Sequence, residues 1–143
     1  MSKLFYAAFI YMALGVASGL FYREFTKAND FTDAQFTQLS VVHTHLLVLG
    51  FVVLLIVLIL EKLFALSQSK LFAWSFWIYN LGLILTAATL TVHGMQQVTG
   101  AESSQAIAGI AGTGHMLLTA GTILLFLALR SRLKAQSTGA QAR

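Results

Sequence analysis

"QLSVVHTHLLVLGFVVLLIVLILEK", residues 38–62, carries no Asp, Glu, Lys or Arg before Glu61. A helix needs about 20 apolar residues to cross the roughly 30 Å hydrocarbon core of a bilayer, and this run supplies them. Equally uncharged stretches cover 4–22, 71–101 and 103–129. A soluble bundle requires a polar face on each helix, and these stretches have none that is charged. The fold class that follows is all-α: an integral membrane four-helix bundle, up-down-up-down, with spans at roughly Leu4–Tyr22, Ser40–Leu60, Leu71–Val98 and Gln105–Leu129. Composition agrees, since only 10% of the 143 residues are charged against about 25% in soluble domains. Residues 1–132 read as the transmembrane domain. The remainder, "LKAQSTGAQAR" (133–143), reads as a disordered basic cytoplasmic tail.

The net charge of +4 does not point to nucleic acid, because of where the charges fall. Four spans put both ends and the 61–70 loop on one side, with Lys3, Lys62, Lys70, Arg130, Arg132, Lys134 and Arg143. The other side has Arg23 and Lys27 among Glu24, Asp30, Asp33 and Glu102. The positive-inside rule then places both termini in the cytoplasm, and a multi-pass plasma-membrane location is expected. Lys3 and the first apolar run resemble a signal peptide, with Gly15-Val16-Ala17 as a cleavage site, but the run continues to Tyr22. The Arg23–Leu39 connection is the longest. Asp30 and Asp33 offer helix caps there, which predicts a short surface helix leading into the second span. The absence of cysteine excludes disulfides, thioether-attached haem, iron–sulfur clusters and thiolate metal sites.

The four histidines, His43, His45, His93 and His115, all lie in or at the edges of spans. Ionisable side chains at membrane depth usually face the bundle interior and mark a functional site. By the topology above, all four fall in the outer half of the membrane. On a regular helix His43 and His45 point about 200° apart. His43 shares its face with Leu46, Leu47, Gly50 and Leu54, and Gly50 leaves room for a bulky flat group. His45 shares its face with Val41, Val48, Leu49 and Val52. His93 lies on a stripe with Gly82, Thr86, Thr89 and Gln97, and His115 on one with Ala108, Ala111, Gly112, Thr119 and Thr122. Small residues beside a histidine admit another helix or a cofactor, and the Thr and Gln side chains can accept a hydrogen bond from a ligating imidazole. Zinc and copper sites usually recruit further donors. Haem b needs two imidazoles from facing helices and an apolar pocket. Iron ligation is therefore expected from within this set, with His93 or His115 as a candidate ligand and His45 more simply a helix–helix hydrogen-bond donor.

Other features carry plainer readings. "HLLVLGFVVLLIVLILEK" from His45 and "HMLLTAGTILLFLALRSR" from His115 echo each other and suggest a two-plus-two duplication. Gly15-x-x-x-Gly19 reads as helix packing or a homo-oligomer seam. The aromatics of "WSFWIY", 74–79, read as an interfacial belt. Arg23 is placed to reach outward-facing haem propionates.

"VVHTHLLVLGF", 41–51, resembles the second transmembrane helix of the haem–copper oxidase superfamily's catalytic subunit, closest to the nitric oxide reductase and C-family branches. "MALGVASGLFYREF", 12–25, is similar to that subunit's first helix. The resemblance covers about sixty residues and implies that His43 is an axial ligand of a low-spin haem b. The oxidases' later helices, with their binuclear-centre histidines, have no counterpart here, so reduction of oxygen or nitric oxide by this chain alone is not implied. As a whole the chain resembles small bacterial four-helix membrane proteins of uncharacterised function. The expected role is haem-b binding for electron transfer or for haem or gas handling linked to respiration. Membrane lipid, haem, and a second copy or a respiratory-chain protein are the expected partners. Two rivals stand beside it: a His-lined metal or proton transporter without haem, and a structural membrane subunit.

Overall fold

The computed structural model describes residues 1–32, 35–102 and 105–141, and among these the regular structure is entirely helical. The helices are α1 (Ser2–Ala28), α2 (Leu39–Phe64), α3 (Lys70–Thr99) and α4 (Gln105–Gln141). Each contains a stretch long and apolar enough to cross a membrane. Within α2, Leu46–Val52 is π-helical, set between α-helical Leu39–His45 and Val53–Phe64.

The helix ends follow local chemistry. α1 continues past Tyr22 until Asp30 adopts a left-handed backbone, φ 51°, and the Phe31 N–H closes on the Thr26 carbonyl at 3.0 Å. The surface helix expected at Asp30–Asp33 does not form among the described residues, and Asp33 itself lies outside them. Left-handed geometry at Asp30 ends a helix rather than starting one. The entry to α2 is instead organised by Thr37. Its Oγ1 accepts the Leu39 N–H at 3.2 Å and donates to the Gly94 carbonyl at 2.9 Å. At the other end, Ala65 turns left-handed, φ 50°, and stops α2. Gly100, φ 69°, does the same for α3.

α4 overruns its expected end. The segment read as a disordered tail is helical through Gln141. Its Leu, Lys, Ala and Gln residues are good helix formers. Arg132 Nε donates to the Phe64 carbonyl at 3.1 Å and Gln136 Nε2 to the Leu63 carbonyl at 3.2 Å, so α4 also satisfies the last carbonyls of α2.

Lipid offers no hydrophobic drive for helix association, so small residues and interhelical hydrogen bonds must hold the bundle. They do so at each seam. Gly15 and Gly19 of α1 receive Leu47 and His43 of α2, so this glycine pair is used within the chain. Gly82 of α3 lies against the backbone of Gly114 and Leu118 of α4, where a Cβ would come within 2.7 Å of the Leu118 nitrogen. Gly94 of α3 meets the Leu39 backbone. Tyr11 Oη donates to Asn80 Oδ1 at 2.9 Å, a buried bond that ties α1 to α3. Ser75 Oγ donates to the Gly121 carbonyl at 2.8 Å.

Packing is heaviest between α3 and α4 and continuous between α1 and α2, and α2 rests on α3. On α3, the residues that meet α4 (Gly82, Thr86) and those that look towards α1 (Trp77, Asn80, Ile84) occupy opposite flanks. α1 and α4 are therefore on opposite sides of the α2–α3 pair. The bundle is open, with one groove between α1 and α3 and another between α2 and α4.

Candidate functional site

The groove between α2 and α4 has α3 as its floor. Leu49, Tyr79, Leu118, Thr119 and Thr122 line it, around a volume of about 280 Å³. Among the described residues, the C-terminal part of α2 reaches the end of α4.

By helical spacing, three histidines continue the stripes of α2, α3 and α4 that form its walls and floor. His45 lies one turn before Leu49 on the same side of α2. His115 precedes Leu118, Thr119 and Thr122 at the spacing of a single helical face on α4. His93 stands seven residues beyond Thr86 and fourteen beyond Tyr79, on the stripe of α3 that forms the floor. Antiparallel pairing fixes their depths. Gly94 against Leu39 sets His45 level with about Ala88 of α3, and Gly82 and Thr86 against Gly114 set His115 level with about Leu85. At 1.5 Å per residue, His45 and His115 differ in depth by about 5 Å, and all three histidines span about 12 Å.

Each of the three imidazoles is held in the same way. His45 Nδ1 is 2.9 Å from the Val41 carbonyl, His115 Nδ1 is 2.9 Å from the Ala111 carbonyl, and His93 Nδ1 is 2.9 Å from Gln38 Oε1. A backbone carbonyl only accepts, so Nδ1 donates at His45 and His115, and in the neutral imidazole Nε2 is then the nitrogen with the lone pair. That is the tautomer a ligating imidazole needs, with the second nitrogen oriented by an outer hydrogen bond. His45 and His93 are half-buried and His115 is exposed on the bundle surface. Gln38 is fixed in turn, its backbone N–H donating to Gln97 Oε1 at 2.7 Å.

His43 is placed differently. It faces α1, where a Cβ added at Gly19 would lie 3.7 Å from the His43 Cβ, and its buried Nδ1 has no hydrogen-bond partner among the described residues. The flat group against Gly50 is the ring of Tyr11 from the same chain, so the room that glycine leaves is already filled. Arg23 is exposed at the end of α1, beside Glu24 at 3.5 Å, across α2 from the groove. Among the described residues, no three His, Cys, Asp or Glu side chains converge where they could hold a metal ion. His43, His93 and His115 are thus not brought to a common centre.

Some of this was hidden in the sequence. Tyr79, read as part of an interfacial belt, is buried. It seats on Gly121 and donates to the Leu49 carbonyl at 3.0 Å, inside the π-helical segment. Trp74 and Trp77, by contrast, are exposed as a belt requires. Gln38 carried no periodic signal at all. The sequence echo does have a structural counterpart. His45 and His115 each bond the carbonyl four residues earlier, and Gly50 and Gly121, shortly after each, receive Tyr11 and Tyr79.

A family profile described as "Protein of unknown function (DUF2871)" matches residues 1–132. The chain belongs to this family. The match takes in all of α1, α2 and α3 and α4 as far as residue 132, so the DUF2871 unit includes the groove-lining residues and the four histidines. No curated protein and no solved structure matches the chain.

Proposed function

We propose that this DUF2871 protein binds haem b in the groove between α2 and α4, with His45 and His115 as the imidazole ligands. The observation that carries the reading is the shared fixing of Nδ1 by a backbone carbonyl on both walls, at depths about 5 Å apart, which in the neutral imidazoles leaves Nε2 to ligate. The donor count favours haem over a bare ion. Zinc and copper take three or four protein ligands, and no such cluster exists among the described residues. Haem brings four nitrogens of its own and needs only one or two histidines. The groove supplies apolar walls from Leu49, Leu118 and Ile123.

This assignment moves the ligand role from His43, where the oxidase resemblance puts it, to His45. His43 lacks the outer hydrogen bond that orients a ligating imidazole, and the α1 glycines cover its face. His93, nearer the groove mouth, lies outside the pair. Bound haem would supply a one-electron iron couple. The protein's own part is to hold the two imidazoles in one tautomer and keep water from the apolar walls. Electron transfer or haem or gas handling linked to respiration, in the plasma membrane of a bacterium, is the role that suits these properties.

One observation favours a structural role for His93 in particular: its bond to Gln38 ties α3 to the start of α2. The test is direct. Protein purified in detergent from haem-replete cells should be red, with a Soret band that sharpens and shifts on dithionite reduction. Colourless protein would overturn the proposal, and stoichiometric zinc or copper by elemental analysis would favour a metal-transport reading.

A further inference from the structure

The groove on the other side of the bundle, between α1 and α3, is independent of the histidines. Its main section has a volume of about 540 Å³ and runs from Lys3 to Leu14 on α1, faced by Phe76, Trp77 and Ile84 of α3. That is about 17 Å of helix, close to half the roughly 30 Å bilayer core. At the end near the N-terminus it joins a second cavity of about 270 Å³, and the two share Ser2, Lys3, Phe76 and Trp77. Glu61 lines this second cavity.

Glu61 is only 7% exposed. Its Oε2 accepts the Ser67 N–H at 2.7 Å, and no cation pairs with it among the described residues. A carboxylate taken from water with one hydrogen bond and no counter-charge is costly. An ammonium group entering the cavity would supply what is missing. Lys3, exposed and 5.9 Å from the Trp77 ring centroid, stands at the junction with the apolar groove. The arrangement is a buried carboxyl group without an ion-pair partner among the described residues, a neighbouring lysine and an apolar channel one leaflet long.

We propose that this site binds one phospholipid with a primary-ammonium headgroup, of the phosphatidylethanolamine class. The ammonium pairs with Glu61, the phosphate with Lys3, and one acyl chain lies along the α1–α3 groove. A phosphatidylglycerol headgroup offers Glu61 no cation. Phosphatidylcholine offers a trimethylated cation that cannot donate a hydrogen bond.

Native mass spectrometry of the detergent-purified full chain, with equimolar phosphatidylethanolamine, phosphatidylcholine and phosphatidylglycerol added, tests this. The wild type should retain one phosphatidylethanolamine with about tenfold preference over either competitor, the scale of one charge-assisted hydrogen bond. Glu61→Gln keeps an oxygen for the Ser67 N–H and so preserves the loop, but should bring the preference close to parity. Lys3→Ala should weaken retention of all three. Equal retention of the three lipids by the wild type, no retained lipid, or an undiminished preference in Glu61→Gln would overturn the proposal.

Discussion

The two flanks of α2 differ in what they do with a histidine. His43 is pressed against α1, where Gly19 leaves room for its Cβ, and its Nδ1 finds no partner among the described residues. His45, two residues on, turns to the groove shared with α4 and is held at Nδ1 by the Val41 carbonyl. The first flank is a closed helix seam. The second is open, with an oriented nitrogen. Proximity in sequence says little about shared purpose on a helix, because two residues correspond to about 200° of rotation.

The most damaging way to break the contrast is to push α2 off α3. A Cβ at Gly94 would meet the Leu39 backbone, which cannot give way as a side chain can. Gly94→Leu should cost about 3 kcal/mol or more, read as loss of monodisperse protein in detergent size-exclusion chromatography and a fall in thermal midpoint. Recovery of normally melting protein would show that the approach at Gly94 is not essential. A narrower disruption targets the open flank alone. His115→Ala should remove the Soret band or convert it to a weakly held, single-histidine spectrum, while thermal stability of the apoprotein stays near wild type. The seam beneath the groove is the next test. Tyr79→Phe removes the hydroxyl bonded to the Leu49 carbonyl, and interhelical bonds of this kind are worth about 0.6–2 kcal/mol. A drop of that size in denaturation free energy is expected, with the haem spectrum retained. Smallest of all, Arg23→Ala should leave both stability and spectrum unchanged, since the side chain is exposed and lies across α2 from the groove.

The spans were legible in the sequence because a charge-free apolar run of about 20 residues suits a bilayer core and denies a soluble helix its polar face. Ends and faces were less legible. The extension of α4 depends on Arg132 and Gln136 finding the final carbonyls of α2, a contact between residues distant in the chain. The face of each histidine was readable from periodicity, but what lay opposite was not. Gly50 looked like room for a cofactor, and the neighbour that fills it is Tyr11. Nor could sequence show that Val41, Gln38 and Ala111 fix three Nδ1 atoms, because that requires the rotamers. The π-helical turn at Leu46–Val52 also escapes a reading that assumes about 100° per residue throughout. Such turns often accompany functional sites, and this one begins directly after His45.

The decisive measurement is the absorption spectrum, oxidised and dithionite-reduced, of His43→Ala and His45→Ala purified side by side with the wild type. The assignment of the open flank predicts that His45→Ala loses or alters the Soret band while His43→Ala keeps it. The reverse pattern, with His43→Ala colourless and His45→Ala unchanged, would contradict it.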